Sequence, residues 1–320
     1  MPLQSYPYKS FGEGQQIHAT VHWPDVKQKT PCGIALAFHG GGFVVGSRDM
    51  IPTAQIQYLV DSGFVFVSAD YRLCPQVPLY DGPIEDAKDA YSWSKNLLPG
   101  LLEEADIDVD PTTIVALGYS AGGLLALHLG ALPNPPRAIL DFYGVKYTSD
   151  SFWFKPLPAL AMIPTLDDAF MNKIYEEPVL STTILSLERA SAEAAHQARP
   201  KTKGLPKPDL SIPRNAWLFV SLKLGTHFAS IVQDGDYERV DPVRGFSEGF
   251  PPTFFVHGNA DGMVLPDFSV RAYEELKELG VDTGLGLPEG KSHGFDVGVE
   301  VDDADFESIK AGLDFLIRHK

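Results

Sequence analysis

The run TIVALGYSAGG at residues 113–123 is an apolar strand pattern that breaks abruptly into a serine flanked by glycines. Thr113 to Tyr119 has the short, β-branched composition of a buried strand, and residues 121–131 read as the helix that follows it. Between them, Gly118-Tyr119-Ser120-Ala121-Gly122 matches G-x-S-x-G. A turn from strand to helix this sharp holds its serine in a strained conformation with the hydroxyl above the sheet, and the glycines remove side chains that would collide. Free backbone N–H groups at the start of the helix favour negative charge on a nearby oxygen. Ser120 is therefore the candidate nucleophile.

The same alternation of strand and helix runs outward on both sides. Residues 33–39, 64–71, 138–144 and 253–257 read as further buried strands, with others expected at 15–23 and near 282–288. Helices are expected at 50–62, 84–97, 267–279 and 303–318. This order predicts an α/β fold: a mostly parallel central sheet with helices on both faces. The alternation fails from 146 to 250, where Pro156, Pro158, Pro164, Pro178, Pro200, Pro206, Pro208 and Pro213 are scattered through helical pieces. Because strand-like sequence resumes at Pro251, residues 146–250 read as a largely helical inserted cap, with 1–145 and 251–320 forming one core.

A nucleophilic serine needs a base, an acid to orient that base, and donors for the oxyanion. His39-Gly40-Gly41-Gly42-Phe43 closes a strand upstream, and its glycines let backbone amides approach a substrate oxygen. Gly40, Gly41 and Ala121 are the candidate oxyanion donors. Downstream, His257-Gly258-Asn259-Ala260-Asp261 puts Asp261 in a loop after a strand, and Lys291-Ser292-His293-Gly294-Phe295 puts His293 in a polar loop before the last helix. The order Ser120, Asp261, His293 is the one this turn motif expects. Position in the chain separates the other candidates. His257 reads as a packed or turn-bonded residue and His39 as a brace for the glycine loop, while His196 and His227 fall in the insertion; among acids, Asp267 is expected to cap the next helix and Asp296 lies close to His293 in sequence.

With HGGGF at 39–43, DYRLCP at 70–75, GYSAGG at 118–123, GNADGMV at 258–264 and SHGF at 292–295, the chain resembles the hormone-sensitive-lipase-like branch of the α/β-hydrolases. The resemblance implies an esterase without a cofactor or metal, a triad of Ser120, Asp261 and His293, and Asp70 and Arg72 as a structural pair near the oxyanion loop. Tyr119 stands where that family more often has Asp, and Cys74 and Gln76 where it more often has Ala and Glu. Plant gibberellin receptors are similar to this branch but lack the catalytic histidine, whereas His293 is in place here. Phe43, Tyr119, Trp153 and Trp217 are the candidate substrate-binding side chains, with Phe152-Trp153-Phe154 and residues 214–233 expected to wall an apolar pocket.

Lys and Arg total 26 against 42 Asp and Glu, a formal net charge of −16 that repels phosphate backbones and excludes nucleic acid as an expected partner. A hydrophobic fraction of 44% and a charged fraction of 21% are those of a folded globular chain. Cys32 and Cys74 form no metal-ligand spacing and read as buried thiols. The absence of a leader-like start and of a long apolar run makes the expectation a cytoplasmic protein without a membrane span. No G-x-G-x-x-G follows a strand, so a dinucleotide is not expected. A carboxylesterase acting on small to medium, largely apolar esters is the expected function; an amidase, an arylformamidase or a natural-product hydrolase that opens lactones or C–C bonds shares the same triad.

Overall fold

The computed structural model describes residues 1–180 and 207–320; His196, Pro200 and Pro206 lie outside the described residues. Eight strands form one sheet: β1 Leu3–Phe11, β2 Gln15–His22, β3 Cys32–Phe38, β4 Phe64–Ala69, β5 Val109–Tyr119, β6 Ile139–Phe142, β7 Thr253–Val256 and β8 Thr283–Gly286, in the order β1-β2-β4-β3-β5-β6-β7-β8. From β4 across to β8 every pairing is parallel, and β1 and β2 add an antiparallel edge. Strand β1 is absent from the sequence reading, and its position explains why. It is an edge strand, mostly exposed, with Pro7 beside a shift of register, so neither an apolar face nor an unbroken ladder marks it.

Burial of both faces follows from the parallel pairing. Alternate residues of β3, Ile34, Leu36 and Phe38, enter one apolar cluster, and Ala35 and Ala37 enter the other; Val65 and Val67 oppose Phe64 and Phe66 in the same way. The first face is covered by α2 Glu85–Asn96 and the second by α1 Thr53–Asp61. A short α3 Leu98–Glu103 follows α2, and α4 Ala121–His128 is buried along nearly its whole length against the sheet. Between β6 and β7 the described residues hold short helical pieces, among them α5 Asp168–Met171, α6 Pro213–Leu224 and α7 His227–Ile231. Trp153, Leu218, Phe228 and Ile231 from this segment join the same cluster as β3 and α4, so its apolar side is continuous with the main core. After β7 come α8 Pro266–Glu278 on the first face and α9 Phe306–Arg318 on the second. Phe306, Ile309, Leu313 and Leu316 give α9 the helical spacing that buries it.

Backbones approach closely where β5 turns into α4. A Cβ on Gly122 would stand 2.1 Å from the Phe38 carbonyl oxygen of β3, a backbone atom that cannot step aside. A Cβ on Gly100 in α3 would meet nothing within 4 Å. Gly122→Ala is therefore expected to cost about 1–3 kcal/mol or more through overpacking and to lower Tm by several degrees. Gly100→Ala is expected to be neutral or to add about 0.5–1 kcal/mol through helix propensity. Thermal unfolding followed by circular dichroism checks this, and equal Tm values for the two variants would contradict the close packing.

Candidate active site

The loops that leave the carboxyl ends of β3, β5, β7 and β8 meet above the sheet. Ser120 sits between β5 and α4 at φ 55°, ψ −115°, a sparsely populated conformation for a residue with a side chain. Its backbone is pinned there: the Ser120 N–H donates to Phe142 O at 2.9 Å, and Ser120 O accepts from Gly123 N at 2.9 Å and Val145 N at 3.1 Å. Gly118 is required because a Cβ would fall 2.0 Å from Gly122 O. The strained turn expected from the pentapeptide is thus held by contacts on three sides.

Ser120 Oγ lies 2.9 Å from His293 Nε2, and His293 Nδ1 lies 2.6 Å from Asp261 Oδ2. Asp261 Oδ1 accepts the N–H groups of Met263 and Val264 at 2.7 and 3.0 Å. Burial pushes the Asp261 carboxyl upward, but the positive charge available on His293, hydrogen bonds from His257 and His293 and the Val264 amide outweigh it and hold it well below the usual carboxylate range. An ionised Asp261 only accepts, so His293 Nδ1 carries its proton and Nε2 is left to accept from the serine hydroxyl.

Gly40 brings the glycine loop against the nucleophile, since a Cβ there would lie 3.3 Å from Ser120 Cβ. Gly41, at φ 111°, folds the loop back so that its carbonyl accepts from Val44 and Val45 N–H, each at 3.0 Å. Ala121 begins α4 directly after Ser120. Gly40 and Gly41 line the same cavity as Ser120, and Ala121 follows Ser120 directly in the chain. His39 braces the loop as read from sequence: its ring stacks on Tyr71 at 4.2 Å, and the Tyr71 hydroxyl donates to His39 O at 2.9 Å.

Behind Asp261 runs a buried polar chain that the sequence reading missed. His257 Nε2 lies 3.1 Å from Asp261 Oδ2, which can only accept from it. His257 Nδ1 then accepts from the Ser269 hydroxyl at 2.7 Å, and Lys146 Nζ donates to Ser269 Oγ at 3.1 Å. Lys146 also pairs with Asp141 at 2.7 Å, both fully buried. Burial lowers the His257 pKa against the opposing pull of Asp261 and keeps the ring neutral. His257 is packed, but against the candidate acid.

Two expectations about neighbouring residues are corrected. Asp70 and Arg72 do not pair with one another: Asp70 binds the Arg48 backbone and guanidinium, whereas Arg72 grips Asp86 with Nε and Nη2 at 2.8 and 2.7 Å. Both lie beyond the end of β4, where the chain has left the sheet and strand alternation no longer sets their directions. Asp267 is not a helix cap, because Pro266 occupies the first position of α8 after Leu265 and leaves Asp267 inside the first turn. Asp296 is buried and accepts from Gln55 at 2.8 Å and the Tyr143 hydroxyl at 2.5 Å. Tyr119 completes that set by donating to Gln55 Oε1 at 2.7 Å, and the Tyr143 ring packs edge-on against His293 at 4.6 Å.

Ser120 and His293 open into a cavity of about 650 Å³ lined, among the described residues, by Phe43, Tyr119, Trp153, Leu218, Phe219, Leu222 and Phe228. Trp217 does not line it. On α6 the cavity side is given by Leu218, Phe219 and Leu222, and Trp217 instead meets the His227 ring edge-on at 6.0 Å. His227, assigned no role from sequence, is part of the wall.

His257→Phe keeps ring volume but removes the donor to Asp261 and leaves Ser269 without its acceptor, an expected loss of about 1–3 kcal/mol at pH 7. A carboxyl held low stabilises above its unfolded value, about 3.9, and loses that contribution as pH falls toward the folded value. A histidine held low costs stability as pH falls below about 6.5, and the variant is spared that cost. Both effects shrink the deficit on acidification. Urea unfolding at pH 7 and pH 3.5 measures it, and a deficit that does not change between them would overturn the assignment.

A model of the α/β-hydrolase fold family matches residues 35–155, which span β3, the glycine loop, β5 and the Ser120 turn. Thermogutta terrifontis esterase 2 phosphorylated by paraoxon superposes with a TM-score of 0.62 over 99% of this chain and 94% of that one, at 21% identity. The propionate-bound form of the same esterase gives 0.57 over 97% and 90%, also at 21%. These likenesses establish the fold. By sequence, the non-reducing polyketide synthase adrD of Penicillium rubens is 32% identical over 100% of this chain and 14% of its own length. Methylphloroacetophenone synthase of Cladonia uncialis is 30% identical over 99% and 13%. The chain thus spans about one seventh of the curated relatives it matches. No helix among the described residues is long and apolar enough to cross a membrane. In sheet order, in the family match and in the turn that carries Ser120, this chain has the α/β-hydrolase fold.

Proposed function

We propose that this chain is a serine hydrolase that cleaves acyl substrates through a Ser120 acyl-enzyme. The observation that carries the reading is the hydrogen-bonded line from Ser120 Oγ to His293 to Asp261, 2.9 and 2.6 Å long, at the floor of a largely apolar cavity. In that reading His293 Nε2 takes the hydroxyl proton as Ser120 Oγ bonds to the carbonyl carbon. The oxygen that becomes negative is received by the amides of Gly40, Gly41 and Ala121, helped by the N-terminus of α4. His293 then gives the proton to the leaving group, and water attacks the acyl-enzyme by the same path in reverse. Asp261 stays ionised and fixes the imidazole. Uncharged or weakly charged carboxylic esters fit the apolar walls.

A specific observation favours a second substrate bond. The chain matches a segment of polyketide synthases over nearly its whole length. Such enzymes carry their acyl chains as thioesters, and the same nucleophile and oxyanion donors hydrolyse a thioester with a thiol as leaving group. Both readings share one mechanism and differ in the leaving atom.

Ser120→Ala is expected to abolish labelling by a fluorophosphonate probe and to lower kcat by about 10³-fold or more. Comparing kcat/KM for an oxygen ester and the N-acetylcysteamine thioester of one acyl group separates the two bonds. Full activity in Ser120→Ala would sink the proposal.

A further inference from the structure

Tyr143 follows the last residue of β6 with φ 41°, in the left-handed region that a bulky residue rarely enters. Glycine would take that backbone without strain, so a tyrosine persists there through what its side chain reaches. Its ring packs edge-on against His293 at 4.6 Å and lies 6.5 Å from the His257 ring, which places it beside both imidazoles that meet Asp261. Its hydroxyl donates to Asp296 at 2.5 Å. Tyr143 and Asp296 are both buried, and both border the cavity into which Ser120 and His293 open. The hydrogen-bonded line from Ser120 to Asp261 uses neither of them.

Asp296 ties the His293 loop to three other parts of the fold. It follows His293 closely on the same loop, and its carboxyl accepts from Gln55 Nε2 of α1 at 2.8 Å as well as from Tyr143. Gln55 Oε1 in turn accepts from the hydroxyl of Tyr119, the residue before the candidate nucleophile. Helix α1, the Ser120 turn, the end of β6 and the His293 loop therefore share one buried polar centre. Each Asp296 oxygen meets a donor, and a carboxyl that accepts on both oxygens is the ionised form. Burial pushes this carboxyl above its usual range, while Tyr143, Gln55, its own amide and the charge that His293 can carry pull it down. The groups that titrate beside it are Tyr143 from β6, Tyr119 from β5 and His293 from its own loop. Burial holds both phenols well above their ordinary value, so they remain neutral donors.

We propose that Asp296, acting through Tyr143, is a positioning residue for His293: the pair steadies the imidazole between Ser120 and Asp261 and keeps a second negative charge beside it as it takes up the serine proton. The proposal rests on the serine-hydrolase reading for that proton transfer. Asp261 fixes one ring nitrogen, and a ring held at one atom can still swing; an edge-on neighbour bonded in place removes that freedom. The proton passes from Ser120 Oγ to His293 Nε2, and Asp296 stays ionised and exchanges none. Its charge favours the imidazolium that forms in the transition state.

The test is the rate of fluorophosphonate labelling across about pH 5 to 9, the range in which an imidazole titrates. It is measured on the unchanged chain, Asp296→Asn and Tyr143→Phe, with Tm as the check on folding. Phenylalanine keeps the ring and loses the bond that orients it, and the plateau rate is expected to fall about 10-fold or more. Asparagine has the same shape, still accepts from Gln55 and can donate to the Tyr143 oxygen, so it removes the charge and leaves the network closed. Only the neutral imidazole takes the serine proton, so labelling falls as pH drops; without the neighbouring charge the ring is protonated at lower pH, and the acid limb is expected to move down by about half a unit or more. A purely structural role would lower Tm and leave the acid limb in place. An acid limb unmoved in Asp296→Asn, or a plateau unchanged in Tyr143→Phe, overturns the proposal. If one variant does not fold, the other decides by its own criterion. Should the unchanged chain resist labelling, the hydrolase reading fails by itself, and proton NMR decides the positioning: the downfield Nδ1–H signal of the His293–Asp261 bond is expected to broaden in Tyr143→Phe, and a signal as sharp as in the unchanged chain overturns it.

Discussion

A single backbone turn constrains most of this molecule. Between Tyr119 and Ala121 the chain passes from a parallel strand into a buried helix with Ser120 at positive φ, and that conformation persists only because its surroundings leave no other. Gly118 packs on Gly122, and Gly122 packs on the carbonyls of Phe38 and His39 at the end of β3. The same contact therefore fixes where the glycine loop begins relative to the serine. Moving α4 outward by the width of a methyl group would separate Ser120 from both Gly40 and His293. Strain in the turn is offset by burial of nearly the whole of α4 and by the apolar clusters on both faces of the sheet.

Asp261 imposes the second constraint, an electrostatic one. A carboxylate buried this deeply is costly unless several donors meet it, and here two backbone amides and two imidazoles do. The donor from His257 is itself oriented by Ser269 and Lys146, and Lys146 is neutralised by Asp141 beneath Gly123. The candidate acid is thus tied through hydrogen bonds to the underside of the same turn that holds the candidate nucleophile. Removing one partner from a buried charged set of this kind leaves another unpaired, which is why such sets rigidify a site more than they stabilise a fold.

What could be read from sequence divides along the same physical line. The pentapeptide, the glycine loop and the buried strands are local steric requirements, so each leaves its mark in a few adjacent residues: Gly118 and Gly122 are glycines because backbone lies about 2 Å from where a Cβ would be. Asp261 and His293 were legible because each sits in a short loop after a strand in the expected chain order. Strand β1 left no mark, since an exposed edge needs no apolar face. The partners of Asp70 and Arg72 also left none, because Arg48 and Asp86 reach them through the fold and not through the sequence between them. Trp217 was misplaced for a related reason. Helix α6 is apolar on more than one side, and only its docking decides that Leu218 and Leu222 face the cavity while Trp217 turns to His227.

This division has a consequence for where specificity can reside. Residues around Ser120 are held by contacts so close that a single added carbon is excluded, so the machinery on the sheet tolerates little change. The cavity wall between β6 and β7 is different: Trp153, Leu218, Phe219, Leu222 and Phe228 touch the site through side chains on short helical pieces, and replacing one alters shape without displacing the backbone of the turn. Apolar walls grade substrates by size with shallow energies, roughly 1–3 kcal/mol per methylene. A buried polar atom grades them by hydrogen-bonding capacity and does so steeply. The fold thus keeps the requirement for bond breaking on the rigid sheet and leaves the choice of substrate to a segment that can vary without disturbing it.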